Sequence, residues 1–332
     1  MSPIMAAYQL QQAPAWFIWL AFLGGLCVAV LTSRLLVHLT LCLGRRKDLR
    51  RRYGAWAVVT GPTSGIGRSV ALELARGGLN LVLVDLDAAN LEEVSETIRS
   101  RHGAVKTMAV VLDLSLVSTP QGDEALRRFR QAVKWLDVGV LVNNAGVAKP
   151  GAVFLHEVDD VEAWVRMIRV NLWAVTEVTA AVLPGMVERG RGAVVNMGSA
   201  SSEAIPSFPL HTMYTATKRY VAQLSRSLYV EYKSKGIDVQ CHAPFFVETT
   251  MLSGFSGIMY PSALVPTTDA YARAAVRWIG QGGPLCVPNL RHRLLWCLLA
   301  AVPDSVQDWV CLRANLRTRK MFRGASARTP RG

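Results

Sequence analysis

The stretch that decides the fold is Ala55–Ala75, AWAVVTGPTSGIGRSVALELA. Ala55–Val59 is a continuous apolar run, as a strand covered on both faces of a parallel sheet requires. A glycine-rich turn follows at Thr60–Gly67, then a helix with Val70, Leu72 and Leu74 among its apolar positions. Gly61, Gly65 and Gly67 carry no Cβ, so they tolerate tight dihedrals and close approach of another group. The helix aims free N–H groups and its positive dipole end back at the turn. The turn, with Ser64 and Ile66 between its glycines, therefore reads as a seat for a pyrophosphate. A glycine-rich turn alone is an ordinary loop, and the strand–turn–helix context is what favours the phosphate.

Working outward, strand and helix patterns alternate. Strands are expected at Asn80–Val84, Met108–Leu112, Val138–Val142, Ala193–Met197 and Ile237–His242. Helices are expected around Ala88–Arg101, Asp123–Trp135, Val161–Leu183 and Tyr214–Lys233. This alternation predicts an α/β fold, a Rossmann-type doubly wound parallel sheet with ligands at the C-terminal strand ends. Residues 245–268 are irregular and hold two of the three prolines between Pro244 and Pro266, which marks a functional loop. A helix at Asp269–Ile279 and a short strand at Cys286–Pro288 close the domain, expected over 54–290.

The chain has 332 residues, 51% of them hydrophobic, and its mean hydropathy is +0.24. That is high for a soluble enzyme and directs attention to the N-terminus. Residues 1–15 are uncharged, and Trp16–Ser33 adds 18 more residues without charge. As a helix that run spans roughly 27 Å, close to the hydrocarbon thickness of an endoplasmic-reticulum bilayer. Trp16 and Trp19 suit an interface, and a basic collar at 44–53 follows the apolar run. A cleaved signal peptide has the opposite charge polarity. The expected organisation is a lumenal N-terminus (1–15), a transmembrane anchor (16–43, core 16–33), then a cytosolic body. The net charge of +13 sits on the flanks: seven Lys/Arg against one Asp in 1–52, and nine against two acids in 291–332. The body between is neutral, which fits an anionic membrane surface and not a nucleic-acid partner. In the basic segment 291–332, Leu294–Val302 is apolar but too short to span a bilayer. It lies in the interface or packs on the body, and both readings stand. The six cysteines show neither a C-x-x-C nor a metal-type spacing, so reduced thiols and no metal site are expected.

Further motifs fall at strand ends. Asn143-Asn144-Ala145-Gly146 follows the fourth strand, and Asn171 lies within the long helix. Ser199 ends the fifth strand, and Tyr214-Thr-Ala-Thr-Lys218 is a Y-x-x-x-K. Helical i, i+4 spacing puts Tyr214 and Lys218 on one face. A free phenol titrates near ~10, so a neighbouring ammonium is expected to lower it toward useful acid–base chemistry. One Y-x-x-x-K is usually a surface pair, and the ordered set of motifs carries the signal. Asp85, ending NLVLVD, is placed to accept ribose hydroxyls and to repel a 2′-phosphate, with Leu86 where an arginine would read one.

With T-G-x-x-x-G-x-G, N-N-A-G and Y-x-x-x-K in this order, the chain resembles the short-chain dehydrogenases/reductases. RRYGAWAVVTG, DVGVLVNNAG, LPGMVERGRGAVVN, LYVEYKSKGIDVQCHAP and YARAAVRWIG resemble plant very-long-chain 3-oxoacyl-CoA reductases and the animal long-chain 17β-hydroxysteroid dehydrogenase/3-oxoacyl-CoA reductases. The resemblance implies Tyr214 as general acid, Lys218 holding the nicotinamide ribose, Ser199 on the substrate carbonyl and Asn171 on a proton-supplying water chain. Ser201 is the reserve candidate for the serine. Further cofactor contacts implied are Asp113 beside the adenine, Asn143, Ala145 and Gly146, and Pro244, Val247 and Thr249 near the nicotinamide. The resemblance implies NADPH, whereas Asp85 and the missing arginine favour NADH. It further implies the reduction of very-long-chain 3-oxoacyl-CoA to 3-hydroxyacyl-CoA in microsomal fatty-acid elongation, with membrane lipid and other elongase subunits as partners. An NAD-linked hydroxysteroid or other lipid-alcohol dehydrogenase is the alternative, and a non-catalytic elongase-associated subunit the second.

Overall fold

The structure, a computed structural model, describes residues 14–43, 47–148, 152–158, 160–253 and 262–326. Parts of the expected lumenal stretch (1–13), collar (44–46), loop (254–261) and tail (327–332) lie outside the described residues. The chain divides into two units, 1–45 and 46–332.

Among its described residues the first unit is one helix, α1 (Ala15–Leu43, 29 residues), with Trp16, Trp19, Phe22 and Leu26 exposed. It contains the expected core of 16–33.

The second unit begins with α2 (Leu49–Tyr53) and alternates from there: β1 (Trp56–Thr60), α3 (Gly65–Arg76), β2 (Asn80–Asp85), α4 (Ala88–Arg101), β3 (Thr107–Val111), α5 (Pro120–Val133) and β4 (Val138–Asn143). Helix α6 (Val161–Glu188) follows, then β5 (Gly192–Met197), α7 (Ala200–Glu203), α8 (Thr212–Tyr232), β6 (Ile237–His242), α9 (Thr250–Ser253), α10 (Thr268–Trp278) and β7 (Leu285–Cys286). Two helices end it, α11 (Leu290–Leu299) and α12 (Asp304–Ser326). Helix ends follow local chemistry. Thr119 accepts from the Gly122 N–H at 3.2 Å and Pro120 occupies the first turn, so α5 starts before Asp123, where the sequence places it.

All strands are parallel, in the order β3-β2-β1-β4-β5-β6-β7. The strand period of two divides the core. Ala57, Val59, Leu81 and Leu83 face α3, α4 and α10, while Val58, Val82, Leu141 and Val194 face α5, α6 and α8. The order reverses between β1 and β4, and that crevice is where an open α/β sheet takes its ligand. Helix α6 is long and apolar enough to cross a membrane, but half of it is buried against the sheet, which makes it a core helix.

The collar is partly folded into this body. Lys47 Nζ donates to the Gly280 carbonyl at 2.8 Å, Arg50 to the Gly78 carbonyl at 2.8 Å, and Arg52 pairs with Asp238 at 3.3 Å. Lys47, Arg50 and Arg52 are thus partnered by protein groups. Asp238 also accepts from Tyr53 Oη at 2.6 Å and Lys233 Nζ at 2.9 Å. Burial alone raises the Asp238 carboxyl, but hydrogen bonds from Tyr53 and Lys233 and the Lys233 and Arg52 charges hold it below its ordinary value. A depressed carboxylate contributes stability at neutral pH that is lost as pH falls through the depressed value. Asp238→Asn is expected to cost about 2 kcal/mol, read as a lower melting temperature at neutral pH, with the difference from wild type shrinking in acid.

Candidate active site

The first β–α turn builds one wall of a groove. Gly61 (φ +65°) and Gly65 (φ +52°) take left-handed backbone. A Cβ on Gly67 would lie 2.0 Å from the Gly61 carbonyl oxygen, so the helix closes on the turn only with glycine there. Ser64 caps α3 by position without a side-chain hydrogen bond, which leaves the first-turn N–H groups to a ligand. Asn144 Nδ2 donates to the Thr60 and Gly61 carbonyls, each at 3.1 Å. Thr60 Oγ1 accepts from the Asn144 and Ala145 N–H groups at 3.0 and 3.1 Å. These four bonds tie the loop after β1 to the loop after β4.

The groove measures about 1230 Å³ out to its open mouth. Of the expected cofactor contacts, Gly61, Ser64, Gly65, Ile66, Asp85, Asp113, Ala145, Gly146, Tyr214, Lys218, Pro244 and Thr249 line it. Three do not. Asn143 lies within the sheet, where its Nδ2 donates to Thr179 Oγ1 and Asn196 Oδ1, both at 2.8 Å. Gly67 packs under the turn, and Val247 faces a second cavity. Thr63, Asn144 and Arg166 line the groove unforeseen. Asp85 Oδ2 accepts from Thr63 Oγ1 at 2.7 Å and its Oδ1 from the Leu86 N–H at 2.8 Å, so the carboxylate is fixed at the groove's edge. Asp113 Oδ1 accepts from the Ser115 N–H at 2.8 Å.

Tyr214 enters from the first turn of α8, and Lys218 one turn later is almost fully buried. Lys218 Nζ donates to the Met197 carbonyl at 2.9 Å and lies 5.9 Å from the Tyr214 ring centroid. A Cβ on Gly146 would stand 3.1 Å from that ammonium, so glycine keeps the approach open. Ser199 stands beside Tyr214 and favours the ionised form of its phenol. The Ser199 Oγ lies 2.8 Å from Ser201 Oγ, so the first and reserve serines are neighbours, with Ser199 beside the tyrosine. Burial raises the phenol above its ordinary value, with Ser199 opposing it. This corrects the expectation of a phenol lowered by Lys218, because desolvation dominates and the ammonium is aimed at Met197. Burial lowers Lys218 to about 8.

Asn171 sits in a π-helical turn of α6, Arg169–Trp173. Its Oδ1 accepts from the Val147 N–H at 2.8 Å, and its Nδ2 donates to the Val147 carbonyl at 2.9 Å and Thr217 Oγ1 at 3.0 Å. It does not line the groove; it splices the loop after β4 to α8 beside Lys218.

Behind Tyr214 and Ser199 lies a second cavity of about 270 Å³, walled by Phe208, Phe245, Phe246, Val247, Leu252, Leu295, Leu299 and Val310. Tyr214, Ile66, Pro244, Thr249 and Met251 line both cavities, so the phenol stands at their junction. His292 fastens one wall: Nδ1 accepts from the Phe245 N–H at 3.3 Å and Nε2 lies 3.2 Å from the Phe246 carbonyl. Burial lowers His292 to about 4, so it is neutral and serves as a structural clip. The walls from α11 and α12 had one signal in sequence, the i, i+4 spacing of Leu295 and Leu299.

The glycine cradle, the open approach at Gly146 and the buried ammonium fit a dinucleotide with its reactive end at Tyr214. The family described as short chain dehydrogenase matches residues 55–256. A very-long-chain 3-oxoacyl-CoA reductase-like protein of Arabidopsis thaliana is 44% identical over 271 residues, 82% of this chain and 84% of the relative. The very-long-chain 3-oxoacyl-CoA reductase of Rattus norvegicus is 36% identical over 315 residues, 92% of this chain and 94% of the relative. An inactive hydroxysteroid dehydrogenase-like protein 1 of Homo sapiens is 39% identical over 248 residues, 75% of this chain and 72% of the relative. Among solved structures, a short-chain dehydrogenase from Sphingobium yanoikuyae in complex with NADPH superimposes with a TM-score of 0.61 at 30% identity, covering 76% of this chain and 95% of its own.

Proposed function

The chain belongs to the short chain dehydrogenase family and is a nicotinamide-dependent reductase of it, and on that footing we propose that it reduces the 3-oxo group of a long-chain acyl-CoA. The observation that carries this reading is Tyr214 at the junction of the dinucleotide groove and a cavity walled almost wholly by apolar side chains. Such a cavity suits an acyl chain, and the hydroxyls of Ser199 and Tyr214 stand at its inner end.

When bound, the reduced nicotinamide supplies the hydride that C3 of the substrate takes up. Gly61, Ser64, Gly65 and Ile66 hold the pyrophosphate end, and Lys218 serves the ribose. Ser199 donates to the substrate's 3-oxo oxygen and orients it. Tyr214 Oη gives its proton to that oxygen as the carbonyl becomes an alcohol, and is reprotonated from solvent. A phenol holds its proton at neutral pH, so Tyr214 is in the form an acid needs, while burial, which raises it further, works against the transfer. Asn171 keeps α8 in register with the loop that carries Gly146.

The proposed cofactor is NADH. The Asp85 carboxylate, held by Thr63 and the Leu86 N–H, meets ribose hydroxyls as an acceptor and a 2′-phosphate as a like charge. The same residue favours a second reading, an NAD-linked dehydrogenase of a hydroxysteroid or other lipid alcohol in the same apolar cavity.

The proposed setting is the endoplasmic-reticulum membrane, with α1 as anchor and the reductase body in the cytosol. Its support is the uncharged run 16–33 followed by basic residues. There the enzyme serves the ketoreduction step of fatty-acid elongation beside a condensing enzyme, a dehydratase and an enoyl reductase.

The substrate assignment is tested by filling the cavity. Leu299→Trp is expected to raise KM for long-chain 3-oxoacyl-CoA by about tenfold, with a short-chain 3-oxoacyl-CoA little affected. Equal effects on both chain lengths place the acyl chain elsewhere.

A further inference from the structure

Helix α12 is turned inside out. Its inward face is polar: Gln307 Nε2 donates to the Leu299 and Val302 carbonyls at 3.0 and 2.8 Å, Asn315 Nδ2 to the Pro209 carbonyl at 2.7 Å, and Thr318 is fully buried. Asp308 accepts from Ser207, and Arg319 forms an ion pair with Glu157. The outward face holds the apolar residues, with Trp309 57% and Val306 46% exposed. On α11 the i, i+4, i+8 stripe Leu290, Leu294 and Leu298 is likewise outward, Leu298 at 68% exposure. A surface helix of a water-facing protein has the reverse arrangement. Polar groups stitch α12 to the body, and large apolar groups on both helices are left outside.

The charges on this face choose its occupant. Arg291, Arg313, Arg317 and Lys320 are exposed there. The carboxylates of these two helices are Asp304, exposed at the start of α12, and Asp308, which is tied to Ser207. The Arg313 guanidinium lies over the Trp309 ring at 5.2 Å, an amphipathic pair suited to the headgroup boundary. The two helices meet at a bend of 118°, so they do not form one straight span.

We propose that the outward face of α11–α12 docks on an anionic phospholipid bilayer, apolar stripes in the acyl boundary and basic residues among the headgroups. The consequence for access follows from the same helices. Leu295, Leu299 and the half-exposed Val310, on these same helices, line the apolar cavity, so the docked face adjoins it. The docking stands on the face itself, independent of what the cavity reduces.

The test uses the full chain in phosphatidylcholine–phosphatidylserine vesicles with a phospholipid carrying a photoactivated carbene, labelled peptides being identified by mass spectrometry. Label is expected in α1 and in peptides covering 290–299 and 304–317. Labelling of the C-terminal peptides, but not of α1, should fall about fivefold in pure phosphatidylcholine or at raised salt. Leu298→Glu with Trp309→Glu should abolish it while cofactor binding is unchanged. Label confined to α1 in the wild-type chain overturns the proposal, and so does self-crosslinking through α12 without lipid label, which assigns the face to a second copy. Because turnover is not read, failure here leaves the reductase assignment standing, and the reverse also holds.

Discussion

Tyr214→Phe is expected to lower kcat for ketone reduction by about 10³-fold while leaving cofactor affinity within a factor of two or so of wild type. The substitution keeps the aromatic ring that fills the junction of the two cavities and removes the single oxygen that can hand a proton to the substrate. Ser199 alone cannot replace it, because a hydroxyl of ordinary serine acidity orients a carbonyl without protonating it. The substitution removes only a hydroxyl and keeps the ring's packing, so the melting temperature should change little. Stopped-flow oxidation of bound cofactor separates the two effects: binding amplitude retained, hydride transfer slowed. A variant turning over within tenfold of wild type removes Tyr214 as the acid.

The second large effect is expected in cofactor choice. Wild-type protein should favour NADH over NADPH, and Asp85→Gly with Leu86→Arg should move the ratio of kcat/KM values by about 100-fold toward NADPH. Asp85 is held on both oxygens, by Thr63 and by the Leu86 N–H, so it cannot swing away from an incoming phosphate. Leu86 is 58% exposed, which gives an arginine there room to reach the groove's edge. Preference of the wild-type enzyme for NADPH contradicts this reading of Asp85 and leaves Arg166, which also lines the groove, as the phosphate-facing cation.

The parallel sheet and the glycine turn were legible because strand and helix periods differ and because Gly61, Gly65 and Gly67 permit what a Cβ forbids. Residue-level assignment failed where neighbours share a residue type. Asn143 and Asn144 are adjacent at a strand end, and successive side chains point to opposite faces. The first therefore bonds within the sheet and the second clamps the turn, a choice composition cannot make. The phenol's shift was misjudged for a related reason: i, i+4 spacing shows that Lys218 shares a face with Tyr214, but not that its ammonium is taken by the Met197 carbonyl. The sequence marks 291–332 as a basic amphipathic segment but not which face of α12 is buried, since a buried face of Gln307, Asn315 and Thr318 inverts the polarity that pattern reading assumes.

The account turns on whether the cavity behind Tyr214 presents a long-chain 3-oxoacyl thioester to the phenol. Initial rates of the purified full chain, measured with long-chain 3-oxoacyl-CoA and with a hydroxysteroid, each with both nicotinamide cofactors, test this most directly. The expected result is reduction of the thioester with NADH as the faster cofactor. Turnover of the steroid alone, or no turnover of the thioester by protein that demonstrably binds cofactor, contradicts it.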